Sequence, residues 1–399
     1  MQTATPQHDE QNAARPRIDM GELAAHAEGP ALVDAVTTGA RVTLHWDDGA
    51  QAHFPWLWLR DHCACVECRH PLTRERLFIP LDDIETPPAA QVVDGNLLLS
   101  WADNHVSRFD PVWLHQRRLE NAAFTPAQIV PPRRPWHVGF TPERVSHTDF
   151  MEEEGDGERQ WLEALLRDGL VLLDDGPLVE EEVSRLAGRI GPMRATNFGA
   201  RFDVRSKPNP NNAAYTPIAL ALHTDLPNWR QPPDIQLLYC LQNEAEGGES
   251  TFADGFTVAE ILRQESPEHF RILSETPIDF RFQDEEHDIA IRAPIIELDE
   301  DSRPLEIRFN NWIRDTLRLP LHDVDAWYAA YRHFWQLLHD PRHQIEFALA
   351  PGQMIAFDNR RVLHGRRAFD PNTGKRHLQG TYLDLDLLES RLRVLSRQR

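Results

Sequence analysis

Between residues 31 and 124 apolar side chains recur at every second position in short runs, as in RVTLHWDDGAQAHFPWLWLR and QVVDGNLLLSWADNHVSRF, with turn breaks between them. Period two predicts short half-buried strands and hence a small β-rich module. Residues 1–28 are polar with no apolar period and read as a mobile tail. The stretch TPAQIVPPRRPWHVGF carries a proline cluster that continues neither helix nor sheet, so it reads as a linker. Beyond it, ERQWLEALLRDG and VEEEVSRLAGRI have helical spacing and bracket the strand-like GLVLLDDG. Past about residue 210 strands dominate, apart from a helix over 324–338 whose aromatics lie on an apolar face that belongs in the core. The expected organisation is a tail over 1–28, a β-rich domain over 29–124, a linker over 125–140 and a mixed α and β domain over 141–399.

With 399 residues the chain is long for one core, and 41% hydrophobic with 26% charged residues marks it as globular. The longest apolar runs, 216–222 and 169–173, are strand-sized, and the N-terminus lacks the apolar core of a signal peptide. A cytoplasmic protein without membrane spans is expected. Forty-two basic against 63 acidic side chains give a net charge of −21, which repels nucleic acid and anionic membranes. Only Lys207 and Lys375 are lysines, a bias that discounts most arginines as individually meaningful.

Chemistry concentrates in two places. Cys63, Cys65 and Cys68 are too close in sequence for disulfide geometry and suit three thiolates on one metal ion, whereas Cys240 in DIQLLYCL reads as a buried strand residue. The second place is His223-Thr224-Asp225, where strand alternation puts one imidazole and one carboxylate on the same face. Similar triplets begin at His8, His45 and His147; in the last, Thr148 or Asp149 reads as the N-cap of an acidic first turn. The copy at 223 instead closes a strand-like run and opens a loop, where metal ligands commonly reside. Downstream, FDNRRVLHGRR supplies His364, and Arg376 follows twelve residues later in KRHLQGTYLDLD. Two histidines and a carboxylate on one face of iron(II) leave open positions for a 2-oxo acid and O2, with an arginine for the distal carboxylate.

These motifs, with WLRDHCACVEC, NNAAYT, EGGES and RFNNWIRD, resemble the Fe(II)/2-oxoglutarate dioxygenases of the taurine dioxygenase superfamily, and within them the γ-butyrobetaine dioxygenase family, over roughly residues 40–395. The resemblance implies an α+β fold: a double-stranded β-helix (jelly-roll) core with flanking helices and a small β-rich zinc-binding N-terminal domain. It implies His223, Asp225 and His364 as iron ligands, Arg376 as anchor of the 2-oxoglutarate C5 carboxylate, and Ser250 after Gly-Gly as a further cosubstrate contact. It also implies zinc on Cys63, Cys65 and Cys68 with His105 as fourth ligand; the spacing alone does not choose among histidines, and an iron–sulfur cluster is the rival reading. Tyr215, Tyr382, Phe198 and Phe202 correspond to an aromatic box for a trimethylammonium group, although Phe replaces Tyr and Trp at two positions and Leu226 replaces a Tyr. Asn212 and Asn310 correspond to amides facing the substrate carboxylate. The reaction implied is hydroxylation of γ-butyrobetaine to L-carnitine with release of succinate and CO2, stimulated by ascorbate, in a homodimer. The alternative is another small-molecule quaternary ammonium acid, trimethyllysine or trimethylaminoethylphosphonate.

Overall fold

The computed structural model describes residues 18–22, 28–79, 86–119, 129–153, 155–205 and 216–397. The chain divides into two compact units, Met1–Gln128 and Ile129–Arg399.

In the first unit, Leu32–Thr38, Arg41–Trp46 and Gln51–Pro55 form one three-stranded sheet, and Ala89–Val93, Asn96–Ser100 and Val106–Phe109 form another. The hairpin at 93–96 turns on Asp94 and Gly95, both at positive φ (50° and 74°), as a tight two-residue turn requires. The inward residues, among them Val42, Leu44, Phe54, Leu97, Leu99 and Phe109, make the core. Two expectations change here. The segment WLWLRD is the helix Trp56–Asp61, not a strand; it turns Leu59 and Arg60 inward, stacks Trp58 on His62 and sets it at a tilt against Trp113. Of the tail, residues 18–22 are packed: Met20 is buried in the core and Asp19 pairs with Arg74. Ile18 packs against the same core and Glu22 accepts from the Trp113 indole at 2.9 Å, which completes the docking of this short segment.

The second unit is built on two sheets. Six strands run in the order Glu143–Ser146, Leu170–Asp174, Met354–Asp358, Ile235–Asn243, Arg376–Leu383 and Arg201–Val204. Four run in the order Leu220–His223, Val362–Arg366, Ser250–Asp254 and Gln344–Phe347. Alternation assigns the faces: Leu170, Leu172, Cys240 and Ile355 share a core with Phe252, Ile345 and Val362 of the smaller sheet. Val171, Leu173, Tyr239 and Met354 point the other way, against the helices Gly157–Asp168, Glu182–Ile190 and Leu385–Arg397. A third core joins the helices Gly255–Glu265, Pro267–Glu275 and Leu321–His339, with Trp327, Tyr331 and Phe334 on the buried face of the last. Two largely antiparallel sheets packed face to face with helices outside make an α+β double-stranded β-helix.

Residues 129–140 belong to this unit rather than to a free linker. Trp136 is buried, its indole N–H donates to the Asp168 carbonyl at 2.7 Å, and Arg134 makes a bidentate pair with Asp168. The prolines keep the segment extended while tryptophan and arginine dock it. Where Thr148 or Asp149 is expected as the cap, the helix is His147–Met151 and the capping oxygen belongs to Ser146, which accepts from Asp149 N at 3.0 Å; His147 binds Glu182. No helix among the described residues is long and apolar enough to cross a membrane.

Candidate functional site

His223 ends the strand Leu220–His223 and stands directly across from His364 on Val362–Arg366, so antiparallel pairing brings together two residues 141 positions apart, 364 less 223. Gly365 permits the approach: a Cβ there would lie 2.7 Å from both the Leu220 carbonyl oxygen and Thr251 Oγ1. Asp225 follows on the loop, where Leu226 adopts a φ of 55° and turns the chain away. Its Oδ1 lies 3.3 Å from His223 Nε2 and 3.9 Å from His364 Nε2, and the three ligand atoms fall within 4.8 Å of one another. His223 Nδ1 bonds the Ala221 carbonyl at 2.9 Å, which turns Nε2 inward.

Neighbours fix the carboxylate as firmly. Asn359 accepts from Asp225 N at 2.7 Å and donates to the carbonyls of Asp225 and Pro233 at 3.0 and 2.9 Å. Tyr382 donates its hydroxyl to Oδ2 at 2.7 Å, leaving Oδ1 toward the histidines. Burial, reinforced by His223, pushes the His364 imidazole down to about 3. Burial works against ionised Asp225, but His364, His223 and the Tyr382 hydroxyl outweigh it and hold the carboxyl below its usual range. A neutral His364 imidazole beside an ionised Asp225 carboxylate is the protonation pattern that a divalent cation takes, and two nitrogens with one oxygen suit iron(II).

These ligands line a cavity of about 370 Å³. Arg376, Leu378 and Tyr382 alternate onto its wall from one strand, which separates Arg376 from Tyr382 by six residues, about 20 Å. At one end Arg376 is half-buried, its Nε is buried without a hydrogen-bond partner, and among the described residues no carboxylate is within ion-pair distance of it. Burial lowers its pKa, and burial together with Arg376 lowers that of Arg366 to about 10. Both guanidinium groups lie over the ring of Phe369, at 5.5 and 4.9 Å. Two desolvated cations beside a metal site invite a dianion. Ser250, buried and paired in register with Arg366, lines the same cavity.

At the other end the wall is aromatic. Phe202 lies 5.2 Å from Tyr382, Phe198 meets Phe282 edge-on at 5.9 Å, and Trp312 meets His223 edge-on at 5.0 Å. Asn310 also lines the cavity; its amide donates to the Thr224 carbonyl at 3.2 Å and accepts from Trp312 N at 3.0 Å. Asn212 and Tyr215 lie outside the described residues. Gly380, opposite Phe202 in register, leaves the room in which that ring sits, since a Cβ would come within 2.4 Å of it. Gly380→Ala is therefore expected to displace Phe202 and raise the substrate KM about 10-fold, the overpacking cost of about 1–3 kcal/mol falling on the ring. Iron content should not change, as metal analysis beside steady-state kinetics would check.

Phe282, Trp312, Arg366 and Asn359 are not singled out by the sequence. The last three sit inside RFNNWIRD and FDNRRVLHGRR, so the available signal is proximity to recognised residues; Phe282, in a strand of ordinary alternation, gives none.

In the first unit Cys63, Cys65 and Cys68 surround His105 Nε2 at 3.4, 3.7 and 3.6 Å. Bond lengths of about 2.3 Å to sulfur and about 2.0–2.1 Å to nitrogen around a tetrahedral ion put those atoms about 3.6 Å apart. His105 Nδ1 meets Glu67 at 3.2 Å, and Arg60 donates to Cys68 Sγ at 2.8 Å. A carboxylate behind the histidine and a cation beside a sulfur suit a closed zinc site of three sulfurs and one nitrogen. His62 stacks on Trp58 instead, with its Nδ1 on the Trp58 carbonyl.

Comparison with known proteins agrees with this geometry. The family described as "Taurine catabolism dioxygenase TauD, TfdA family" matches residues 130–382, and "Gamma-butyrobetaine hydroxylase-like, N-terminal" matches residues 34–115. A γ-butyrobetaine dioxygenase of Pseudomonas sp. (strain AK-1) is 40% identical over 92% of this chain and 96% of its own length. The γ-butyrobetaine dioxygenase of Homo sapiens is 34% identical over 89% of this chain and 94% of its own. The mitochondrial trimethyllysine dioxygenase of Homo sapiens is 31% identical over 86% and 83%. The chain belongs to the TauD, TfdA dioxygenase family and, within it, to the γ-butyrobetaine dioxygenase family of Fe(II)/2-oxoglutarate enzymes.

Proposed function

We propose that this enzyme hydroxylates γ-butyrobetaine to L-carnitine, with conversion of 2-oxoglutarate and O2 to succinate and CO2. The observation that carries the reading is a single cavity with a half-buried arginine at one end of a strand and an aromatic wall at the other. His223, Asp225 and His364 would hold the iron, and Arg376, assisted by Ser250, the cosubstrate. Iron(II) supplies the redox chemistry: cleavage of O2 coupled to decarboxylation of the 2-oxo acid, and insertion of one oxygen atom into a C–H bond.

The chain's own work is positioning and exclusion of water. Arg376 meets the C5 carboxylate with charge-assisted hydrogen bonds that no protein carboxylate contests. Phe198, Phe202 and Tyr382, with Tyr215, would offer ring faces to a trimethylammonium group at about 0.5–2 kcal/mol each. Asn212 and Asn310 would receive the carboxylate. A substrate held at both ends presents one carbon to the metal, and Leu220, Leu226, Leu238, Phe252 and Leu378 keep the site dry. Phe in place of Tyr and Trp keeps the π faces, so the cage still selects a quaternary cation.

Zinc on Cys63, Cys65, Cys68 and His105 would hold the 29–124 domain together without reacting, since four protein ligands leave no open position. None of the four cysteines is in a disulfide, which fits a cytoplasmic enzyme. Assembly as a homodimer follows from the family resemblance alone.

The test is succinate release by the purified enzyme with Fe(II), 2-oxoglutarate and ascorbate, run in parallel on γ-butyrobetaine, trimethyllysine and trimethylaminoethylphosphonate, with products weighed by mass spectrometry. One succinate and one added oxygen with γ-butyrobetaine support the reading; coupling to another of the three overturns the substrate assignment. In the same assay Arg376→Ala is expected to raise the 2-oxoglutarate KM about 100-fold, the loss of one or two charge-assisted hydrogen bonds of about 1.5–3 kcal/mol each. Substrate binding should change far less.

A further inference from the structure

Tyr382 stands in two places at once. Its hydroxyl donates to Asp225 Oδ2 at 2.7 Å, while its ring lies 5.2 Å from Phe202, tilted by 36°, in the aromatic wall of the cavity. It is 2% exposed, so neither contact is shared with bulk water. The backbone of Asp225 is already fastened on both sides by Asn359. What remains free is rotation of the carboxylate, and the phenol settles it: Oδ2 is taken, and Oδ1 faces the two imidazoles at 3.3 and 3.9 Å.

We propose that Tyr382 is a positioning residue that couples occupancy of the aromatic pocket to the metal centre, by holding Asp225 to one ligating oxygen and strengthening that hold when a cation lies over its ring. The inference rests on the function proposed above. Its physical basis is polarisation. A cation over the face of a phenol draws density from the ring and makes the O–H a better donor. The stronger bond holds Oδ2 more firmly and keeps Oδ1 turned toward the metal as the single ligating oxygen. A carboxylate with one oxygen engaged elsewhere also cannot close a second coordination position that the cosubstrate or O2 requires. The substrate thus readies the centre for the reaction that will consume it.

In the coupled reaction one oxygen atom of O2 enters succinate and the other enters the substrate C–H bond, which supplies two electrons. In the uncoupled one ascorbate supplies two electrons and two protons, and the second oxygen leaves as water. Tyr382→Phe keeps the ring and removes the hydroxyl, so the inference predicts a specific split. Fe(II) should bind the apoenzyme about 10-fold more weakly in titration, at the low end of what loss of a ligand's hydrogen-bond partner costs. The γ-butyrobetaine KM should stay close to that of the wild type, while hydroxylated product per succinate falls from near one to below one half. Under anaerobic conditions, addition of γ-butyrobetaine is expected to shift the Fe(II)-to-2-oxoglutarate charge-transfer band of the wild-type holoenzyme and to leave that of the variant unshifted.

Tyr382→Leu, lacking ring and hydroxyl, should add a raised KM to the same uncoupling. A Phe variant with wild-type iron affinity, stoichiometry and band shift overturns the inference while leaving the functional reading in place. A wild-type enzyme that makes no product from γ-butyrobetaine overturns both.

Discussion

Asp225→Ala is expected to reduce γ-butyrobetaine hydroxylation by more than about 1000-fold and to leave the purified protein without iron, because loss of a mere partner of a ligand already costs about 10–100-fold. The charge arrangement explains the severity. Asp225 is the carboxylate that the described residues bring within 4.8 Å of His223 and His364. Without it the cavity keeps two imidazoles together with the guanidinium groups of Arg366 and Arg376, so a divalent cation would enter a positive site with no anionic ligand. The fold should survive. Asn359 grips the backbone N–H and carbonyl of residue 225, which alanine retains, and the substitution removes a buried charge instead of stranding one. Metal analysis, kcat/KM and a melting curve on the same preparation check the prediction. Retained turnover, or loss of the folded second unit in place of loss of iron, would refute it.

The contrast between Asp225 and its supports shows where sequence reading stops. His223, Asp225, His364 and Arg376 are legible because metal and carboxylate chemistry constrains residue type and because each lies in a motif with fixed order. Asn359 and the Tyr382 hydroxyl serve the same carboxylate, yet an amide or a phenol has many uses, and only cross-strand geometry shows that both converge on residue 225. The split of Leu170–Asp174 into two faces follows from period two alone. By contrast WLWLRD alternates like a strand and is a helix, because packing of Leu59, Arg60 and Trp58 overrides local pattern. The prolines before Trp136 exclude regular structure without revealing that the segment docks on Asp168 and Asp254. Choosing His105 over His62 likewise needs the fold, since the two are equally plausible donors in sequence; in space one faces three sulfurs and the other a tryptophan ring.

Zinc removal is expected to melt the N-terminal unit while the second unit keeps its transition, and Cys65→Ser should reproduce the effect. Structural zinc contributes about 10–16 kcal/mol in zinc peptides, as much as the about 5–15 kcal/mol by which whole domains are stable. Cys63, Cys65, Cys68 and His105 tie the segment after the helix Trp56–Asp61 to the turn before Val106–Phe109, so the ion closes a loop of some forty residues, from 65 to 105. The pH dependence follows from the thiols. Without metal, burial raises the Cys63 thiol above its ordinary value and drives Cys68 up to about 12, despite the Arg60 hydrogen bond. Both are therefore protonated at neutral pH, and zinc must displace the two protons to bind. Each of these two contributes about 1.4 kcal/mol per pH unit, so affinity should fall by at least about 100-fold for every unit of acidification. The sign is opposite for the metal-free thiols. Raised values favour the folded state below the ordinary thiol range, a contribution lost only as the pH climbs through the folded values. Acid lability of the zinc-loaded unit would thus come from the metal equilibrium, and release of zinc to a chromophoric chelator across a pH series, alongside melting by circular dichroism, separates the two. An N-terminal transition unchanged by chelation would remove zinc from the account of its stability.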